Sequence, residues 1–423
     1  MNEEWRERAT PFSVSRTGDA NGEGGENGSG NGDSGNSRAN LVSLAIVVIG
    51  VAVAAVFARN ALTSTALFLL ILLGLVMAHE AAHFFTAKAF GITVHEFAFG
   101  FPPRIWGKRI GETVYTINWL PIGGFVRLEG EEAAEGPRSF ASQPAWKRFI
   151  VLASGAITNL LLPILLLGFA LMVPHQVPEG RAVVTGVMAG TPAEEAGLKQ
   201  GDVILTIGGR EARNIVDTSR FVRLFQGQTF DVEIRRDGNV MTVPVYGRWA
   251  PPAGQGPTGI SIAPQGVAAD GRPYTVTEAQ APWVAFPNAA VMTWDTMILA
   301  RNEVIGWFKG TSGPQFAGPV GIAQTTGEVA RSSETAGGAI APLLELAALL
   351  SINLGIMNLL PLPMLDGGRI FFLLIEVVRG GRRIAPEREA IVHMVGFVAF
   401  ILLAVVVTFA DISRLVSGAS ALP

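Results

Sequence analysis

His79-Glu80-Ala81-Ala82-His83 puts two imidazoles four residues apart. On a helix, positions i and i+4 share a face, so both rings can converge on one metal ion. Glu80 stands one step off that face, where a carboxylate can take a proton from an activated water instead of binding the metal. The pattern alone is common, and a solvated helix carrying two His and one Glu is its bland reading. Here it closes a long uncharged run from Ala61 to Ala78. Ionisable groups are expensive next to such a run and tend to be functional there. Two imidazoles and a carboxylate suit zinc, with the fourth position left open for water.

Few residues qualify as a third ligand. The chain has no cysteine, which excludes thiolate zinc sites, disulfides, thiol nucleophiles and cysteine-bound iron–sulfur clusters. His95 follows beyond Gly91 without the glycine and third-histidine spacing of the metzincin pattern. His175 and His393 read as interface or helix contacts. Asp366, in Asn358-Leu-Leu-Pro361-Leu-Pro363-Met-Leu365-Asp366-Gly367-Gly368, ends an apolar run at a depth matching His79, and a carboxylate placed there needs a partner. Its alternative role is to cap a helix ahead of the two glycines.

The elements that must carry these groups are mostly apolar. Hydrophobic residues make up 49% of the 423 and charged residues 16%, with a mean hydropathy of +0.38. That balance argues for membrane spans. The net charge of −3 gives no footing for nucleic acid. Five apolar segments are long enough to cross a bilayer: Leu41 to Ala58, Ala61 onward, Phe149 to Val173, Pro342 onward, and Ala390 to Ala410. Arg59 falls in a tight turn between the first two. Residues 1–40 are rich in Gly, Asn and Ser and read as a disordered tail with no signal-peptide core. Eight basic residues between Lys88 and Arg148, and four between Arg379 and Arg388, place both loops on the cytoplasmic side. The tail is then inside and the C-terminus outside, with Arg59 weakly opposing.

Residues 180–249 read as a soluble domain between spans. Phe230-Asp-Val-Glu-Ile-Arg and Val240-Met-Thr-Val-Pro-Val alternate as paired strands about an Asp237-Gly238 turn. Pro192-Ala-Glu-Glu-Ala-Gly197-Leu and Gly201-Asp202-Val-Ile resemble a PDZ domain. Residues 250–341 read as a linker, in which Val284 to Phe308, with Trp283, Trp294 and Trp307, has the look of an amphipathic helix lying along a membrane surface.

His-Glu-x-x-His in one span, Asn-x-x-Pro-x-x-x-Leu-Asp-Gly in a later one and a PDZ-like domain between them resemble the site-2 protease family, nearest its bacterial regulator of sigma-E protease group. The resemblance implies a polytopic α-helical membrane protein of about five spans, with a re-entrant β-hairpin region and an inserted extracytoplasmic PDZ-like α+β domain. The membrane core is then residues 61–179 and 342–423, with 41–60 as an extra N-terminal span. It implies zinc as cofactor, His79, His83 and Asp366 as ligands, and Glu80 as general base. Asn358 and Pro361 match family positions that help place substrate. Phe97 to Arg104 and Tyr115 to Val126 resemble the family's hairpin, which offers an edge to an extended substrate, with Gly123 and Gly124 in it. Ser154-Gly155-Ala156-Ile-Thr-Asn159 resembles the family's Gly-Pro-x-x-Asn, with Ala156 in place of proline. Implied substrates are single-pass membrane proteins, such as an anti-sigma factor or a signal-peptide remnant, with a C-terminal peptide as a ligand for the PDZ-like domain. The implied location is the bacterial plasma membrane, with the active site near the cytoplasmic side.

Two rivals fit less well. A membrane serine protease would pair Ser154 with His393, but Leu152-Ala153 precedes the serine where Gly-x-Ser is needed. A metal transporter would spread His and Asp over several spans. An inactive scaffold presenting the PDZ-like domain has no reason to keep Glu80.

Overall fold

A computed structural model describes residues 33–131, 136–252, 254–266, 274–309, 318–332 and 337–417, with side-chain surroundings from Ala61 onward. The chain divides into two units, residues 1–57 and 58–423. Most of the expected tail, residues 1–32, lies outside the described residues.

Helix α1 is Asp33–Ala89. It begins eight residues earlier than expected and runs through Arg59 without the expected turn. Residues Arg59-Asn-Ala-Leu contain neither Gly nor Pro, so nothing local breaks the backbone ladder. The helix stops at Gly91, whose φ of +74° suits the left-handed closing residue, and Ile92 N–H bonds back to Ala87. Among the described residues four helices are long and apolar enough to cross a membrane: Ala61–Ala89, Ala145–Met172, Ile340–Leu359 and Glu387–Val416.

Strands β1 (Val94–Ile110) and β2 (Thr113–Leu128) follow. They are more than a simple hairpin. Both bend, β1 near Pro102-Pro103 and β2 across Trp119 to Ile122, so each contributes two arms. Phe97 pairs with both Val126 and Tyr115, and Ala98 with both Phe125 and Thr116. The arm 94–99 is thus flanked by 124–128 and by 114–117, while 104–110 covers the far side of 113–118. The outer arms are 104–110 and 124–128. Lys88 hydrogen-bonds Glu112 at 2.6 Å and, with Arg138, holds its carboxyl below the usual range, tying the β1–β2 turn to the end of α1.

Helix α2 (Ala145–Met172) is the hub, packing on α5, α7 and α8. It leads to β3 (His175–Pro178), β4 (Ala182–Val187), α3 (Pro192–Glu195), β5 (Val203–Ile207), β6 (Arg210–Glu211), α4 (Ile215–Leu224), β7 (Thr229–Arg236), β8 (Asn239–Tyr246), β9 (Ile260–Pro264) and β10 (Thr275–Glu278). Strands β8-β7-β5-β4-β9 form one sheet, with β6 beside β5. Its core holds Val184, Ile204, Ile207, Phe230, Ile234 and Val245. Each such side chain contributes roughly 1.5–3 kcal/mol by leaving water. Buried Asp202 is bonded by Arg236 at 2.6 Å, and although burial pushes its carboxyl up, the guanidinium outweighs that and holds it below the usual range. The sheet extends to Pro264, past the expected boundary at 249, because β9 pairs with β4 beyond a Pro- and Gly-rich stretch that hides the strand. Strands β3 and β10 pair as a two-stranded stem where the chain leaves and re-enters the helices.

Helix α5 (Pro282–Phe308) is apolar around most of its circumference. Instead of only lying along a surface, it buries Ala285 and Ala289 against Leu167 and Leu171 of α2, and sets Asp295 and Asn302 against α4. Trp283, Trp294 and Phe308 face outward. Then come α6 (Pro319–Arg331), α7 (Ile340–Leu359), α8 (Asp366–Val378) and α9 (Pro386–Val416). Gly355 lets α7 approach α2: a Cβ there would stand 2.9 Å from Leu160. Small residues permit such close helix contacts in apolar surroundings.

Candidate metal centre

His79 and His83 project from the last turns of α1, and both are buried. Asp366 is the first residue of α8, not the end of the preceding span as expected. Helix α7 stops at Leu359, and Pro361 and Pro363 keep residues 360–365 out of helix. The N-cap position of α8 is Leu365, so the Asp366 carboxylate does not stand at the cap. It turns to the histidines instead: Oδ2 lies 3.0 Å from His79 Nε2 and 3.2 Å from His83 Nε2, and the two nitrogens are 3.1 Å apart.

Three ligand atoms so placed fit zinc. Tetrahedral zinc with bonds of about 2.0–2.1 Å sets neighbouring ligand atoms about 3.3–3.4 Å apart, so the trio needs to open by only about 0.2 Å. His83 Nδ1 donates to Val151 O at 2.7 Å, which fixes the tautomer and leaves the Nε2 lone pair facing His79 Nε2 and Asp366 Oδ2. Gly155 of α2 supplies the floor. A Cβ there would stand 2.4 Å from His83 Nε2 and 2.6 Å from His79 Cε1.

Asn159, fully buried one turn further along α2, has its amide 3.4 Å from His79 Nδ1, and its Oδ1 has no hydrogen-bond partner among the described residues. A half-turn of the amide would present that oxygen to Nδ1–H and leave the His79 Nε2 lone pair for metal. Ser351 of α7 bonds the Asn159 carbonyl at 2.8 Å, holding this part of α2 in place.

Glu80 is beside the trio without joining it. The amide of Val126, on the outer arm of β2, faces its carboxylate. Gly124 on that arm packs on α1 so closely that a Cβ would meet Met77 Sδ at 2.7 Å, and would lie 3.7 Å from Glu80 Cγ. Gly123 is pressed by the Phe101 ring. Asn358 is buried on the last turn of α7, and Pro361 is exposed in the turn toward Asp366.

Val151, Gly155 and Ser351 were not singled out as site residues from sequence. Gly155 did carry a signal, since a glycine inside an apolar helix costs about 1 kcal/mol against alanine. His95 of β1 is not part of the metal group.

Residues 67–403 match the peptidase family M50. The regulator of sigma-W protease RasP of Bacillus subtilis is 30% identical, over 82% of this chain and 98% of its own length. The zinc metalloprotease RasP of Oceanobacillus iheyensis is 30% identical, over 84% of this chain and 100% of its own. That of Bacillus licheniformis is 31% identical, over 82% and 98%.

Proposed function

We propose, from the premise that this chain belongs to peptidase family M50 and is a membrane zinc metalloprotease of the site-2 type, that it hydrolyses peptide bonds within the membrane segments of single-pass proteins. The observation that carries this is the convergence of His79, His83 and Asp366 beside a carboxylate that is not part of the trio, Glu80.

His79, His83 and Asp366 hold the zinc. Bound there, zinc acidifies water and polarises a carbonyl. Glu80 accepts the proton of the attacking water and passes it to the leaving amine. The substrate must first be unwound, because a helix hides its peptide bonds. The outer arm 124–128 gives it an edge to pair with, Gly124 lets that arm lie close on α1, and Gly123 makes room for the Phe101 ring at the bend. The exposed Trp106, Trp119, Leu120 and Ile122 suit a sheet that re-enters the bilayer. Asn358 and Pro361 help seat the scissile segment.

The basic loops support a zinc site near the cytoplasmic face of a bacterial plasma membrane, with residues 182–264 outside it. That inserted domain, read as PDZ-like, takes a newly made C-terminus or screens substrates by size. An anti-sigma factor is the substrate class that the sigma-W name of the Bacillus subtilis relative supports, and our reading adds that it reaches this site already shortened outside the membrane.

Glu80→Gln tests the mechanism. Purified in detergent, wild type and variant should each hold about one zinc, while cleavage of a model single-span substrate falls by about 10²–10⁴, the usual share of a general base. A variant that cleaves at the wild-type rate would refute the role of Glu80. A zinc-free wild type would favour an inactive scaffold.

A further inference from the structure

The turn that delivers Asp366 does not hold itself together. Across residues 360–365, Pro361 and Pro363 have no N–H. Leu362 N–H bonds to Leu360 O, and Leu365 N–H to Leu362 O. Met364 N–H is the exception: it is taken by another element. His393 of α9 accepts it through Nδ1 at 2.7 Å. Met364 also has a φ of +72°, a left-handed conformation that a non-glycine residue with a long side chain adopts at a cost. Such a conformation persists only where its surroundings impose it. The residue under constraint is two positions ahead of the metal-facing carboxylate.

A second contact grips the same turn from the same helix face. Gly396, three residues after His393, sits against Pro363 so closely that a Cβ would stand 2.2 Å from the proline Cβ. His393 and Gly396 thus clasp Pro363-Met364. The tautomer follows from the donor. An Nδ1 that accepts an amide proton has a lone pair, so the ring proton is on Nε2, which makes no hydrogen bond among the described residues and has Glu389 Oε1 at 3.7 Å. An imidazole kept for an ordinary helix contact would have no need to spend its acceptor on the one amide of this turn that neither the turn nor α7 pairs.

We infer that His393 is a positioning residue for the zinc site: it holds Met364 in the left-handed conformation that aims Asp366 Oδ2 at His79 and His83. The inference rests on the zinc-site reading above. It assigns no chemistry to His393 itself, which lies behind the turn.

Asparagine at 393 can place its amide oxygen where Nδ1 stands, whereas alanine offers no acceptor. In full-length protein, zinc affinity measured by chelator competition should fall about tenfold in His393→Ala, the lower end for an outer partner of a ligand, and stay within about threefold of wild type in His393→Asn. Gly396→Ala, which pushes the same turn from a different atom, should follow His393→Ala. With a single-span substrate, kcat should fall with KM little changed. Cobalt-loaded His393→Ala should show altered d–d bands, which a loss of helix packing alone would leave unmoved. Two results would overturn the inference alone: wild-type zinc affinity and cobalt spectrum in His393→Ala, or His393→Asn as impaired as His393→Ala. Zinc binding that survives His83→Ala would overturn the site reading and this inference with it.

Discussion

At the scale of single residues, the site is shaped as much by a missing side chain as by those present. Gly155 faces both imidazoles, and no rearrangement of two ring atoms at 2.4 and 2.6 Å makes room for a methyl group while they keep their place. Helix physics pulls the other way, since alanine is favoured over glycine inside a helix by about 1 kcal/mol. Gly155→Ala therefore separates the two demands. Thermal unfolding should show a protein at least as stable as wild type, while chelator competition shows zinc affinity reduced by 10-fold to 100-fold or more. Equal zinc affinity would mean that α2 does not form the floor of the site. The grouping of His79, His83 and Asp366 was legible in the sequence, because spacing by four on a helix and an acidic residue at the edge of an apolar run are local signals. Val151 and Ser351 were not, and Gly155 showed only as a glycine within an apolar helix and a motif of no assigned part, because the part of all three depends on which helix lies behind His79 and His83, and only packing decides that.

Among the elements, the β1–β2 sheet departs most from what the sequence suggested. The glycines and prolines of 100–103 and 121–124 signal turns, and a single hairpin is the simplest structure that uses them. Bending both strands at those turns instead gives four arms, with 124–128 on the outside and against α1. Strand β9 was hidden for a related reason: five residues beside a Pro- and Gly-rich stretch are too few to show a period, while α8 was passed over because Asp366 was read as the end of the run before it. The arm's position makes a graded prediction. A Cβ at Gly124 would meet the backbone oxygen of Ala98 at 2.7 Å as well as Met77 Sδ, and a backbone oxygen cannot step aside. A Cβ at Gly123 would meet only the edge of the Phe101 ring, at 2.9 Å, and a ring at a bend can turn. Gly124→Ala should displace the arm and lower cleavage about 10²-fold, the cost of a misplacement near 1 Å, with zinc retained. Gly123→Ala should do markedly less. The order of the two cleavage rates, measured beside zinc content, is the check; equal rates would take the arm away from the substrate path.

For the whole molecule, the question is how residues 182–264 are linked to the helices around His79, His83 and Asp366. The apolar helices and the sheet between them were both visible in the sequence as a change from continuous apolar runs to alternation. The link was not, because α5 reads as amphipathic only if one ignores which partner takes each face. Near its start, Ala285 and Ala289 lie against α2, the helix that also carries Gly155. Further along, buried Asp295 accepts from Arg210 at 2.5 Å and Arg220 at 3.2 Å, and Asn302 donates to the Arg223 and Leu224 carbonyls at the end of α4. One helix thus touches both bodies, beside a cavity of about 900 Å³ lined by His175, Asp217, Arg220 and Glu345 among others. Removing one partner of a buried ion pair costs about 3–5 kcal/mol, and the lower end applies here because both arginines border that cavity and reach water. Asp295→Ala should therefore loosen the attachment without unfolding either body. Hydrogen exchange should rise in α4 and in α5 beyond residue 295, with the β4–β8 core and the zinc content unchanged. If the inserted domain screens substrates by holding a fixed place, the same variant should cleave an unshortened single-span substrate that wild type rejects. Faster exchange with unchanged selectivity would keep the domain as a ligand-binding module and remove it as a size filter. Unchanged exchange would mean that Asn302 and the α2 contact hold α5 without the ion pair.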